Sequence, residues 1–467
     1  MKYLFLIFVG LLFGQLNAQI DSHYWTHQYG AKGLLLNGAV IASAEDETNI
    51  FYNPGAIGQD DNLGFAFSFL SPTYARLQAK NFLGDNSQLV DDGLDFSPGF
   101  LAVRWQPFKN KKFTLGIASF ERFKSDVKFR NRIADQINET GSFLLRADLD
   151  LQRKISEDWF GVGLSYNITD NFGIGFSQYS TWHSQSLDVN LIKEVFTTFS
   201  PQDVVASWRS AFNYNISTYS GWVTKAGVSL KIDSLRLGAT VTTPTYGILR
   251  SSASYNIDDQ RFIREQNLNK VVSNRDDAEL NEFRTPLSIG FGAEYVLGKT
   301  TISFSCEYFQ KIDEYLVFSE VEDSFNGAAL GESDVEVNVR SKNLAVFNFA
   351  GGLQIKQSDR ITLLGGFRTD FNQDNSLLLN NSAEYLGSAP NIFHISGGAM
   401  VNYGKNVFSI GIDLGYGARS GAPQLADFSD VSIDNLFSFS GKNNVSNSFV
   451  SAMLFITYDF ILFGRGD

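Results

Sequence analysis

The sequence predicts an all-β protein: a transmembrane antiparallel β-barrel of about fourteen strands, with a small N-terminal segment filling its lumen. Three observations predict it. Apolar and polar residues alternate strictly along many segments, which is the period of a strand whose two faces meet different surroundings. Very short polar turns alternate with long polar stretches, the habit of outer-membrane barrels. The chain carries 42 Phe, 18 Tyr and 41 Gly against 9 Pro in 467 residues, a composition that favours sheet.

The last segment shows the alternation well. Val450, Ala452, Leu454, Ile456, Tyr458 and Phe460 share one face, and Ser451, Met453, Thr457 and Asp459 the other. Phe408, Ile410, Ile412, Leu414 and Tyr416 oppose Ser409, Gly411, Asp413 and Gly415. Ile302, Phe304, Cys306 and Tyr308 oppose Ser303, Ser305 and Glu307. A soluble sandwich would give the same pattern, so length and turns decide. Many runs reach about ten residues, longer than the roughly 5–6 of soluble strands.

Strands are expected at 63–71, 97–107, 111–123, 158–169, 171–190, 212–232, 234–249, 284–298, 299–317, 343–357, 359–372, 391–404, 406–421 and 446–462. Short turns join them in pairs at 107–112, 169–171, 233–234, 298–299, 357–359 and 404–406. Long polar loops are expected at 72–96, 124–142, 191–211, 250–283, 318–342, 373–390 and 422–445. They carry the acidic pairs Asp91-Asp92, Asp258-Asp259 and Asp276-Asp277. The stretch Phe143 to Ile155 also alternates and reads either as a further strand or as an extension of the fourth.

Composition excludes other classes. After the N-terminal run no apolar stretch is long enough for a membrane helix. A mean hydropathy of −0.10 fits a barrel, whose strands average lipid-facing and lumen-facing residues. A net charge of −12 argues against nucleic acid. The lone Cys306 rules out an internal disulfide framework. At the start, Lys2, an apolar run from Tyr3 to Gly14 and the small residue Ala18 read as a secretory signal peptide over 1–18. The expected organisation is therefore a signal peptide at 1–18, a hatch segment at 19–62 and the barrel at 63–467.

Residues 19–62 lack strand alternation and are rich in small residues, among them Gly30, Ala31, Gly33, Gly38, Ala39 and Ala42. The segment ends in Ile50-Phe51-Tyr52-Asn53-Pro54-Gly55-Ala56. Pro54 fixes φ and Gly55 is free to take unusual dihedrals, which suits a compact plug. Gly38-Ala39-Val40, Asp46 and Ile50-Phe51-Tyr52-Asn53-Pro54 resemble the N-terminal signature of FadL-type transporters of hydrophobic compounds. The family signature ends Asn-Pro-Ala, whereas here Gly55 stands third and Ala56 follows. Weaker echoes are Leu237-Gly238-Ala239-Thr240 with Pro244, Thr285-Pro286-Leu287 with Gly290, and Gly351-Gly352 with Gly365-Gly366.

The resemblance implies a fourteen-stranded outer-membrane barrel with the hatch inside. It also implies uptake of fatty acids or other hydrophobic small molecules, with exit sideways through the wall into outer-membrane lipid. Family members open the wall at a kink in an early strand; Pro98, Gly99 and Gly116 are the candidates here. The same signature is similar to that of PorV-type barrels of the type IX secretion system, which implies a secreted or periplasmic protein partner instead. A continuous apolar pocket from the loops to the hatch would favour transport.

If the apolar faces meet lipid, Arg104, Lys225, Glu294, Glu307, Arg368 and Asp413 line the lumen. Charges inside a barrel commonly brace one another. Arg104, Arg368, Glu294 and Glu307 are the candidate ligand contacts, the arginines because a guanidinium binds a carboxylate bidentately. His394 and Ser396 have the spacing of an outer-membrane lipase element, but no acidic partner is identifiable from the sequence, so no catalytic role is expected. His23, His27 and His183 form no metal-ligand pattern, and no cofactor motif occurs.

Overall fold

Fourteen strands pair in sequence order, each antiparallel to the next, and the last closes on the first. The computed structural model describes residues 23–43, 47–59, 63–68, 71–97, 99–108, 112–137, 141–250, 253–278, 283–319, 338–373, 378–379, 389–404, 406–425, 427–429, 436 and 442–463. The expected signal peptide lies outside them. The wall strands are β1 (Leu63–Ser68), β2 (Phe100–Trp105), β3 (Phe113–Ile137), β4 (Phe143–Thr169), β5 (Phe172–Thr197), β6 (Ser200–Ile232) and β7 (Leu235–Thr242). They continue as β8 (Ser288–Leu297), β9 (Thr300–Phe309), β10 (Val346–Lys356), β11 (Ile361–Asp370), β12 (Ile392–Tyr403), β13 (Asn406–Ala422) and β14 (Val445–Phe463). Closure comes from Ala66↔Asp459 and Phe67↔Tyr458, between β1 and β14. Every expected strand finds its counterpart, because both edges of each are satisfied only when the ring closes.

The short turns gather at one end. Asp233, Gly298 and Gly404 have positive φ there, as two-residue hairpins require. At the other end the structure corrects the sequence reading. Several stretches expected as loops are strand. β3 to β6 run 25 to 33 residues, well past the apolar belt. Phe143 to Ile155 is the extension of the fourth strand, not a further one. Ser71–Lys80 pairs with Gln88–Ser97, and Ala253–Ile263 with Leu268–Ala278. Turn-rich polar composition misled because an extramembrane hairpin has water on one face and needs little apolar residue content.

The alternation resolves as lipid and lumen. Phe408, Ile410, Ile412, Leu414 and Tyr416 are exposed on the outside, while Ser409 and Asp413 are buried inside. Ile302, Phe304 and Tyr308 are exposed, and Ser303, Ser305 and Glu307 buried. An apolar exterior over a polar interior is the arrangement of a membrane-spanning barrel. Among the described residues no helix is long and apolar enough to cross a membrane. Above the belt, a second cluster including Leu149, Leu191, Trp208, Tyr214 and Phe428 packs the interior of the extended strands.

The N-terminal segment lies within the ring. Helix α1 (Gly30–Leu35), helix α2 (Asn49–Tyr52) and a 3₁₀ turn (Pro54–Ala56) are its regular parts, and nearly all its described residues are buried.

Candidate ligand-binding site

Glycine on the wall makes room for the segment. A Cβ on Gly238 of β7 would overlap the carbonyl oxygen of Ile41, one on Gly175 of β5 that of Pro54, and one on Gly366 of β11 the backbone of Leu36. Gly173 and Gly292 face segment backbone in the same way, whereas Gly227 meets the Asn53 side chain and Gly398 and Gly411 that of Leu35. Backbone thus approaches backbone on β5, β7, β8 and β11.

Asn53, Pro54 and Gly55 tie the segment to β6. Asn53 Oδ1 accepts from the Gly55 amide at 3.0 Å. Its Nδ2 donates to Ile41 O at 2.8 Å and to Val228 O at 3.0 Å. One side chain therefore caps the 3₁₀ turn, joins two parts of the segment and reaches the wall.

The expected lumen charges are all inside and nine-tenths or more buried. Most of them engage the segment. Arg104 donates to Ile57 O at 3.0 Å and pairs with Glu47 at 3.4 Å. Arg368 donates to Asn37 Oδ1 and to Thr26 O, and lies 3.5 Å from Asp413. Glu294 accepts from Arg236 at 3.0 Å. Glu307 accepts from Trp25 Nε1 at 2.9 Å and from Ser288 at 2.6 Å. Of the four candidate contacts, Glu307 lines the cavity described next; Arg104, Arg368 and Glu294 do not.

That cavity, about 810 Å³ of empty space partly open to solvent, lies between the segment and the wall. Tyr24, Trp25, Phe51 and Tyr52 line it from the segment; Phe123, Trp159, Val223 and Phe309 line it from the wall. Tyr24 and Phe309 stack at 4.3 Å. Two cations enter this aromatic space. Arg122 lies 4.6 Å from the Phe123 ring centroid and donates to Tyr24 O at 2.6 Å. Lys225 Nζ lies 4.9 Å from the Phe51 centroid. Such cation–π contacts offset part of the cost of burying charge.

The register explains Arg122. Arg122 continues the inward set of Ala118 and Phe120. The β3–β4 pairing shifts between Glu121 and Phe123, a bulge that brings Phe123 to the cavity beside it and passes the inward set on to Ser125, Val127 and Phe129. Gly116, expected to disrupt pairing, instead sits in an unbroken ladder opposite Arg104 and Gly163, packed on Ile50. Its missing side chain serves close packing rather than a kink. Pro98 lies outside the described residues. Gly99 falls between Ser97, which pairs with Ser71, and Phe100, which pairs with Ser68.

His394 does have an acidic partner, contrary to the sequence reading: Asp413 Oδ2 lies 3.0 Å from its Nδ1. The two meet only because β12 and β13 are neighbours. Ser396 Oγ donates to Leu35 O at 2.8 Å, so it serves the segment and completes no triad. Sequence reasoning missed the aromatic lining. One signal was available: Phe309 holds an inward position in register with Ser303, Ser305 and Glu307.

Together these features define a class: a closed transmembrane barrel with a short N-terminal segment locked inside it beside an aromatic cavity. No protein-family model and no curated protein matches the chain. Solved structures do. A FadL homologue of Pseudomonas aeruginosa aligns with a TM-score of 0.59 at 13% identity, covering 94% of this chain and 100% of that one. The Pseudomonas putida toluene transporter TodX gives 0.56 at 12%, over 94% and 99%. The Ralstonia pickettii toluene transporter TbuX gives 0.52 at 13%, over 93% and 98%. The chain has the fold of the FadL-type channels along nearly its whole length.

Proposed function

We propose that the protein is an outer-membrane channel through which a Gram-negative cell takes up hydrophobic small molecules. The aromatic cavity between the N-terminal segment and the wall carries this reading. Apolar ligands favour a concave aromatic site with few polar groups. A second, smaller cavity above it shares Tyr24, Phe123, Thr285 and Pro286. The two form a stepped path toward the segment, which a transporter needs and a protein-binding scaffold does not. The segment acts as a hatch, and its docking residues Asn53, Arg104 and Arg368 hold it closed.

Long-chain fatty acids are one finer ligand class we propose for this cavity. The acyl chain would lie along the aromatic lining, and the carboxylate would face Lys225 and Arg122. The lateral exit into lipid that goes with this reading lies beside Gly99, at the start of β2. The test is mass spectrometry of lipophilic compounds retained by protein purified from outer membranes, beside a variant lacking residues 19–56. The expected result is an apolar compound that the variant loses. An empty barrel with a secreted protein in stoichiometric amount would replace this reading with the secretion-scaffold one.

A further inference from the structure

The upper cavity, about 470 Å³, differs in chemistry from the aromatic one beneath it. Glu157, His183, Gln185 and Asn343 line it, each buried, with Phe283 and Tyr315 as aromatic walls. Acceptors on these polar groups are poorly satisfied within the protein. Asn343 donates its amide to Tyr24 Oη at 2.8 Å, which leaves its carbonyl Oδ1 without a partner. Gln185 donates to Tyr214 Oη at 2.5 Å, leaving Oε1 only a long 3.4 Å approach from His183 Nε2. Glu157 Oε1 accepts from Trp159 at 2.6 Å, whereas Oε2 has only His183 Nδ1 at 3.5 Å. His183 itself stacks on Phe283 at 3.7 Å.

Buried acceptors left unpaired are costly. A bound molecule that supplies O–H donors would serve the two unpaired acceptors, Asn343 Oδ1 and Glu157 Oε2, and add to the long contact of Gln185. We propose that this cavity is a binding site for the hydroxyl-bearing head of an amphiphile whose apolar part lies in the aromatic cavity below. The proposal rests on the uptake reading above and adds a headgroup preference to it. A carboxylate brings no donors and would meet Glu157. An ammonium would meet Arg284 in this cavity and Arg122 and Lys225 in the next. A sugar or polyol fits on both counts: its hydroxyls meet acceptors and its C–H faces meet Phe283 and Tyr315. A fatty acid would use the lower cavity alone.

The test is calorimetric titration of the full-length protein held in amphipol. Four probes are used: octyl glucoside, octanoate, octylamine and toluene. Octyl glucoside is expected to bind tightest of the three octyl compounds. Asn343→Leu should weaken it about tenfold, the worth of a hydrogen bond or two, while octanoate and toluene stay unchanged. Asn343→Asp, which keeps an acceptor at that position, should retain glucoside binding. Retained heat-modifiable mobility shows that each variant is a closed barrel. Tighter binding of octanoate or octylamine overturns the proposal, as does equal weakening of every probe by Asn343→Leu. Failure of all four probes to bind would overturn the uptake reading itself.

Discussion

At Gly366 and Gly238 a single methyl group decides whether the interior can be filled. The ideal Cβ of either would overlap segment backbone, which cannot swing aside as a flexible side chain could. Overpacking of this kind costs about 1–3 kcal/mol per site. Gly366→Val should therefore loosen the N-terminal segment while leaving β11 paired. The expected readout is faster hydrogen exchange over 30–43, with the amides of 361–370 still protected. Unchanged exchange over 30–43 would show that the wall glycines are incidental. The wall's Gly-Gly pairs were visible in the sequence, but their purpose was not. The segment packs on them from more than 300 positions away in the chain.

Strand elements carry a pH dependence above the apolar belt. Asp91, on Gln88–Ser97, is buried against β3, and the side chains of Lys128 on β3 and Lys154 on β4 are exposed. Burial pushes its carboxyl up to about 7, aided by Asp126 and Asp92, against the Lys128 amide hydrogen bond. A raised folded-state pKa means the native form binds more protons than the unfolded one between about pH 4 and 7. Docking of the Ser71–Lys80/Gln88–Ser97 hairpin should thus weaken as pH rises through that window. Hydrogen exchange of residues 71–80 at pH 5 and pH 8, corrected for intrinsic rates, would show it. Asp91→Asn should abolish the difference; a difference that persists would locate its cause elsewhere. The acidic pair was legible in the sequence, whereas its burial came from a hairpin that composition presented as loop.

Closure governs the whole molecule. β1 is six residues long, yet it joins β14 to β2. A chain ending at Asn444 would leave β13 and β1 with unpaired edges in lipid, where unsatisfied backbone groups cost several kcal/mol each. The full chain should give a compact band on unheated SDS gels, and such a truncation should abolish it, with aggregation in its place. A truncated chain that still ran as a compact band would mean the ring is not the folding unit.

Period-two alternation and paired turns were enough to determine the strand order, the lumen-facing register and the inward placement of Arg104, Glu294, Glu307, Arg368 and Asp413. Those features are local, because side-chain direction in a strand follows from position alone. Three things needed the tertiary structure. The bulge at Arg122 brings Phe123 to the aromatic cavity beside it through a one-residue slip between neighbouring strands. The His394–Asp413 contact depends on which strands lie side by side. The cavity itself is the space left when residues 23–43 and 47–59 fold against the ring. Distant segments create it together, so no run of adjacent residues records its shape.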